Sequence, residues 1–108
     1  MRECIFCLIA NSDDSAKLIW QNPIAAAFKS ITPTAPVHVL LVPKRHITNL
    51  DDLDDPVLAG QLMMAAREVA EKMNVKGAWR LRANNGALAG QTVHHLHFHI
   101  LGGTEMTE

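Results

Sequence analysis

His95-Leu96-His97-Phe98-His99-Ile100-Leu101, close to the end of a 108-residue chain, alternates imidazole with apolar side chains from His95 to Ile100. Successive side chains of an extended strand point to opposite faces. One face therefore carries His95, His97 and His99, and the other carries Leu96, Phe98 and Ile100. The apolar face calls for a packed layer beneath it. The imidazole face is hard to justify as packing, because each ring brings two nitrogens that need partners. Three readings of that face stand at this point: an exposed histidine-rich strand with no role, ligation of a metal by all three rings, and a catalytic site. His94 has the wrong parity for either and reads as a strand-start residue.

Outward from this strand, residues 92–101 form the last extended segment, preceded by a loop over 84–90 rich in Asn, Gly and Ala and a strand over 79–83. Asp55-Pro56 supplies an N-cap and a first-turn proline, and Leu58, Leu62, Ala65, Val69 and Met73 follow at helical spacing. That pattern predicts one long helix over residues 56–73. Residues 38–42, HVLLV, lie between Pro36 and Pro43 and read as a buried strand. Two further short segments, 17–21 and 25–29, flank Asn22-Pro23 as a hairpin, and Thr32-Pro33-Thr34-Ala35-Pro36 breaks regular structure. At the start, the apolar residues 4–10 suit one or two helical turns, ended by a turn at Asn11-Ser12-Asp13-Asp14. The order is that of an α+β domain: a mostly antiparallel sheet, one long helix on one face, a short N-terminal helix, and the other face left free for a site. A single domain over residues 1–108 is expected, with no repeat and no linker.

Composition narrows the partners. Hydrophobic residues make up 48%, charged residues 19%, and the formal net charge is -1 with neutral histidines, the balance of an ordinary globular protein. The longest basic run is Lys44-Arg45, which gives no support to a nucleic-acid groove. No apolar stretch approaches the roughly 18 to 20 residues that span a bilayer, and no signal-like N-terminus is present, so a cytoplasmic location is expected.

The imidazole strand and its approach resemble a known family. His95-x-His97-x-His99-Ile100-Leu101 matches the signature of the histidine-triad superfamily, and Gly90-Gln91-Thr92-Val93 stands directly before it, as in the small Hint-like nucleotide-binding members. The similarity extends through Asn84, through Ala35-Pro36-Val37-His38-Val39-Leu40-Leu41-Val42-Pro43-Lys44-Arg45-His46-Ile47, and back to Ile5-Phe6, covering nearly the whole chain. The resemblance implies the HIT-like fold and a nucleotide hydrolase or transferase. It makes His97 the nucleophile toward the α-phosphorus of a purine nucleotide or nucleotide conjugate, by way of a nucleotidyl-histidine intermediate. His99, Thr92 and backbone N–H groups from Gly90, Gln91 and Thr92 would face the phosphate, with Asn84 reaching the same region. Asn84-Asn85-Gly86 is also an ordinary turn. His38 matches a fourth cleft histidine and is either structural or a direct participant. Base and ribose contacts would come from Ile5, Phe6, Ile9, Phe28, Ile31 and Leu40, all of which are equally core residues. Ser30 stands where such proteins carry a ribose-binding aspartate, so it offers a weaker hydroxyl contact.

Cys4-x-x-Cys7 is the chain's whole cysteine complement. A pair at this spacing supplies half of a tetrahedral zinc site, or a redox pair, or two free thiols. The resemblance to bacterial members with the same N-terminal C-x-F-C supplies the remaining ligands, His46 and His95, for a structural Zn²⁺. Three activities remain open: nucleoside phosphoramidate hydrolysis, dinucleoside polyphosphate hydrolysis, and a nucleotide-binding or interaction module with little catalysis. A homodimer through the long helix and a strand is also implied, and the consecutive Met63, Met64, Ala65 and Ala66 cover more than one helical face.

Overall fold

The long helix predicted over residues 56–73 is α2, Pro56–Lys72, with Met73 as its C-cap. Its N-terminal end is closed as the sequence suggests. The Asp55 carboxylate accepts from the Val57 and Leu58 N–H groups at 3.0 and 3.2 Å, satisfying donors that have no partner inside the helix. At the other end Asn74 takes a left-handed φ of 61°. The Val75 N–H then reaches the Ala70 carbonyl at 3.0 Å and the Asn74 N–H the Glu71 carbonyl at 3.1 Å, a complete Schellman closure with asparagine in place of glycine.

The computed structural model describes residues 4–12 and 17–108. The expected turn at Asn11-Ser12-Asp13-Asp14 therefore lies in part outside the described residues. The short N-terminal helix is α1, Ile5–Ala10. The strands are β1 (Trp20–Gln21), β2 (Ala25–Lys29), β3 (Val37–Pro43), β4 (Trp79–Arg82) and β5 (Phe98–Gly102). They form one antiparallel sheet in the order β1-β2-β3-β5-β4. β1 and β2 are the hairpin around Asn22-Pro23, whose Asn22 side chain accepts from the Ile24 and Ala25 N–H groups at 2.9 and 2.8 Å.

Sheet parity divides the core into two layers. Ala25, Ala27, Val39, Leu41, Leu96, Phe98 and Ile100 pack with Leu58, Leu62, Ala65, Ala66 and Val69 of α2. On the opposite face Ala26, Phe28, Leu40 and Val42 pack with Phe6 and Ala10 of α1. That second face was expected to be open, and α1 partly covers it: the apolar residues of a helix this short need a sheet to bury them. At the end of β5, Gly102 is required by close approach. A Cβ there would stand 2.8 Å from Val75 Cγ1, where the segment after α2 crosses the sheet.

The last strand is shorter than predicted. Pairing begins at Phe98, not Thr92, although the alternation of faces persists back to His95. Pro43 ends the usable edge of β3, since it has no N–H to offer. Its carbonyl is instead 2.8 Å from His95 Nε2. The Leu96 N–H bonds to the Ile47 carbonyl at 2.6 Å. Residues 92–97 are thus held by loop and side-chain contacts, not by a ladder.

Candidate functional site

α1 and the face of β2 and β3 beneath it enclose a cavity of about 710 Å³ that opens onto His97 and His99. Its walls include Ile5, Phe6, Ile9, Phe28, Ile31 and Leu40, with Ser30 and Thr92 as hydroxyl-bearing members. All of these were singled out in the sequence. Lys17, Ile19, Lys29, Thr32 and Val93 also line it and were missed, because nothing local distinguishes them from surface or core positions. The named apolar residues differ in character: Ile31 is 96% exposed whereas Phe6 is 8% exposed. Phe6 stands edge-on to Phe28 at 5.3 Å and to His97 at 5.1 Å between ring centroids, so α1 itself holds the nucleophile candidate in place.

Hydrogen-bond partners assign the imidazole tautomers. His97 Nδ1 is 2.8 Å from the His95 carbonyl oxygen. A carbonyl only accepts, so Nδ1 carries a proton and, in the neutral ring, Nε2 keeps its lone pair. His38 Nδ1 accepts from the Thr34 N–H at 3.0 Å. A neutral His38 then donates from Nε2 to His99 Nδ1, 2.8 Å away, which leaves the proton of His99 on its Nε2. The chain of contacts from Thr34 through His38 to His99 gives the fourth histidine a definite place: it touches His99, not the cavity wall.

Charge reinforces these assignments. Burial, then the Arg82 guanidinium, then His97 and His38, hold the His99 pKa down at about 4. Burial, followed by Arg82, also lowers that of His38. Both rings are neutral at pH 7, as the relay of donors requires. A testable consequence concerns stability. Unfolded His99 takes up a proton near pH 6.5, whereas the folded ring, faced by Arg82 from β4, His38 from β3 and His97 beside it, refuses one down to about pH 4. The stability it contributes is present above pH 6.5 and is lost as pH falls from 6.5 toward 4. Urea midpoints measured across this range should fall more steeply for the wild type than for His99→Gln; parallel curves would contradict a neutral buried ring.

The loop before the triad is used differently from expectation. Gln91 is 3% exposed. Its side chain accepts from the Gly86 N–H at 2.8 Å and donates to the Thr48 and Val93 carbonyls at 2.7 and 3.1 Å. The Gly90 and Gln91 N–H groups bond to Ala87 and Gly86 carbonyls at 3.1 Å each, so of the three backbone donors expected at the phosphate they are already committed inside the loop. Thr92 remains at the cavity. Asn84 donates to the Ala89 carbonyl at 2.8 Å. Gly90 has φ 93°, and a Cβ on it would sit 3.3 Å from Asn84 Nδ2, so glycine permits the two to nest.

On the other side of His97, Cys4, Cys7, His46 and His95 bring their ligand atoms within 4.8 Å of one another. Cys4 Sγ and Cys7 Sγ are each 3.3 Å from His95 Nδ1, and Cys7 Sγ is 3.3 Å from His46 Nδ1. A tetrahedral ion with bonds of about 2.0 to 2.3 Å holds its ligand atoms roughly 3.3 to 3.8 Å apart. The four can therefore hold a metal ion after small movements. His95 is set for it: Nε2 donates to the Pro43 carbonyl, which turns the Nδ1 lone pair toward the sulfurs, the orientation that a metal-binding imidazole obtains from an outer partner. Burial, then His46 and His97, lower the His95 pKa against the opposing Pro43 bond, keeping that lone pair free. Burial, and then the Cys4 sulfur, push the Cys7 thiol up to about 11; a cation between the sulfurs would reverse that.

Comparison with known proteins follows the same outline. The HIT domain family profile matches residues 11–106. A HIT-like protein of Synechocystis sp. is 43% identical over 103 residues, 94% of this chain and 90% of its own length. A HIT family hydrolase from Legionella pneumophila superposes with a TM-score of 0.89 at 34% identity, covering 97% of this chain and 96% of that one. A histidine triad protein from Clostridium difficile gives 0.88 at 32% identity, covering 100% and 98%.

Proposed function

This chain belongs to the HIT domain family, and from that premise we propose that it is a hydrolase of nucleoside phosphoramidates or related nucleotide α-phosphate derivatives. The observation that carries the reading is the His97 tautomer, with Nδ1 tied to the His95 carbonyl and the Nε2 lone pair left as the free nitrogen of a ring that lines the cavity. Nε2 attacks the α-phosphorus and the P–N bond to the leaving amine breaks with its electron pair, the amine taking a proton from solvent. Water then attacks the same phosphorus, the bond to Nε2 breaks, and the nucleoside monophosphate leaves as the water's proton passes to solvent. Two displacements replace one difficult hydrolysis. His99 Nε2–H and the Thr92 hydroxyl serve as donors to phosphate oxygens, and the apolar walls take the base. Ser30 accepts from the Thr32 N–H at 3.1 Å and offers the ribose a hydroxyl contact.

The same reading makes Zn²⁺ the ion of Cys4, Cys7, His46 and His95, a closed shell with no open position for water and hence a structural role. It also makes the protein a homodimer. β4 is an edge strand, and Met63 and Met64 on α2 are 41% and 53% exposed. Light scattering at micromolar concentration should give twice the chain mass; a monomer would refute the dimer. Activity is tested by steady-state hydrolysis of a fluorogenic adenosine phosphoramidate beside calorimetric binding of AMP and GMP. Turnover is expected. Tight binding with no turnover of phosphoramidates, acyl-adenylates or dinucleotides would favour a binding module instead. No helix among the described residues is long and apolar enough to cross a membrane.

A further inference from the structure

Strand register places four residues in one row across the sheet: Phe28 opposite Leu40, Leu40 opposite His99, and His99 opposite Arg82. Directly paired residues of neighbouring strands share a face. The first three line the cavity. Arg82 continues the row on the far side of His99, one strand spacing of about 4.8 Å further on. A nucleotide whose base lies over Phe28 and Leu40, with its phosphorus at His97 and His99, directs whatever is attached beyond the phosphorus toward Arg82. The guanidinium acts on both His38 and His99, so its charge reaches the reacting centre. Arg82 is exposed, and among the described residues no carboxylate pairs with it. Edge-to-edge pairing of β4 would use backbone groups and leave this side chain on the sheet face.

We propose that Arg82 binds the leaving group: its guanidinium receives an oxyanion, phosphate or carboxylate, carried beyond the scissile bond, and selects substrates whose leaving group is an anion. The assignment rests on the nucleotide reading of the site and names the substrate class within it. A planar guanidinium suits either oxyanion through paired hydrogen bonds.

The test compares wild type, Arg82→Gln and Arg82→Lys by calorimetry with AMP and ADP, whose β-phosphate occupies the leaving-group position. It adds turnover of adenosine 5′-phosphoramidates of glycine and of glycinamide, which differ in one carboxylate. Arg82→Gln should weaken ADP about 10-fold, or lower kcat/KM for the glycine compound about 10-fold, as expected for one charge-assisted contact. AMP and the glycinamide compound, which lack that contact, should lose severalfold less than their counterparts. Arg82→Lys should fall between. Selective loss with ADP identifies a phosphate leaving group, and selective loss with the glycine compound a carboxylate; both support the assignment. Equal losses for both members of each pair, or no loss, overturn it while leaving the nucleotide site standing. If wild type binds neither AMP nor ADP and turns over neither phosphoramidate, the nucleotide reading falls and the Arg82 assignment falls with it.

Discussion

Replacing His97 with asparagine or alanine is expected to lower phosphoramidate turnover by about three orders of magnitude or more, with the folded structure retained. The size follows from the chemistry. A nucleophile that forms the covalent intermediate cannot be partly substituted by its neighbours, so its loss removes the two-step path altogether. The donors that remain, His99 and Thr92, still bind phosphate and leave a residual rate. Structure should survive because His97 contributes one hydrogen bond, to the His95 carbonyl, and edge contacts with Phe6 and His99. The amide of His97→Asn can keep the first. Alkaline quenching of wild type during turnover, followed by peptide mass spectrometry, should find the nucleotidyl group on His97, since a P–N bond to imidazole survives base better than acid. Equal rates in wild type and variant would remove His97 from the mechanism. A lost rate accompanied by unfolding in circular dichroism would make the comparison one of stability, and the adduct would then decide.

A second large effect is expected from the metal cluster. Elemental analysis should find about one zinc per chain, and Cys4→Ser should lower both zinc content and melting temperature. An ion held at a hundredfold excess over its Kd contributes about 2.7 kcal/mol, and a domain of this size loses roughly 4 to 8 °C per kcal/mol. The expected drop is therefore at least about 10 °C, reproduced in wild type by a strong chelator. The cluster ties α1 to the start of the triad segment through Cys4 and Cys7 on one side and His46 and His95 on the other. These segments are far apart in the chain, so the ion closes long loops that the unfolded state lacks. Turnover should change far less than in the His97 variants. The links are indirect: His95, which ligates through its ring, also orients His97 through its carbonyl, and Phe6 on the tethered α1 stands against the His97 ring. Zinc-free protein of unchanged stability and activity would refute the site. Activity lost at unchanged stability would make the metal catalytic and require a new role for His95.

Much of this was legible in the chain before folding, and the reason is that periodicity is local. Alternation from His95 to Ile100 separates an imidazole face from an apolar one whatever lies beneath, and the structure places Leu96, Phe98 and Ile100 under α2 accordingly. The start of α2 is likewise set by Asp55 and Pro56 within its first turn. The spacing of Cys4 and Cys7 announces a possible half-site in the same local way, while the full ligand set and the role of His97 came from likeness to a family.

Only the tertiary structure decided who meets whom. The alternating segment pairs as a strand only from Phe98, because Pro43 on a neighbouring strand has no N–H to offer. Gln91 looked like part of a phosphate loop and is instead spent on Gly86, Thr48 and Val93. The proton positions on His97, His99 and His38 depend on a carbonyl two residues away and on a strand 61 positions distant. Arg82 drew no notice in the sequence, yet register sets it beside His99. A side chain's face follows from its own neighbours in the chain. Its partner follows from the registry of strands brought together by burial, which the whole core determines at once.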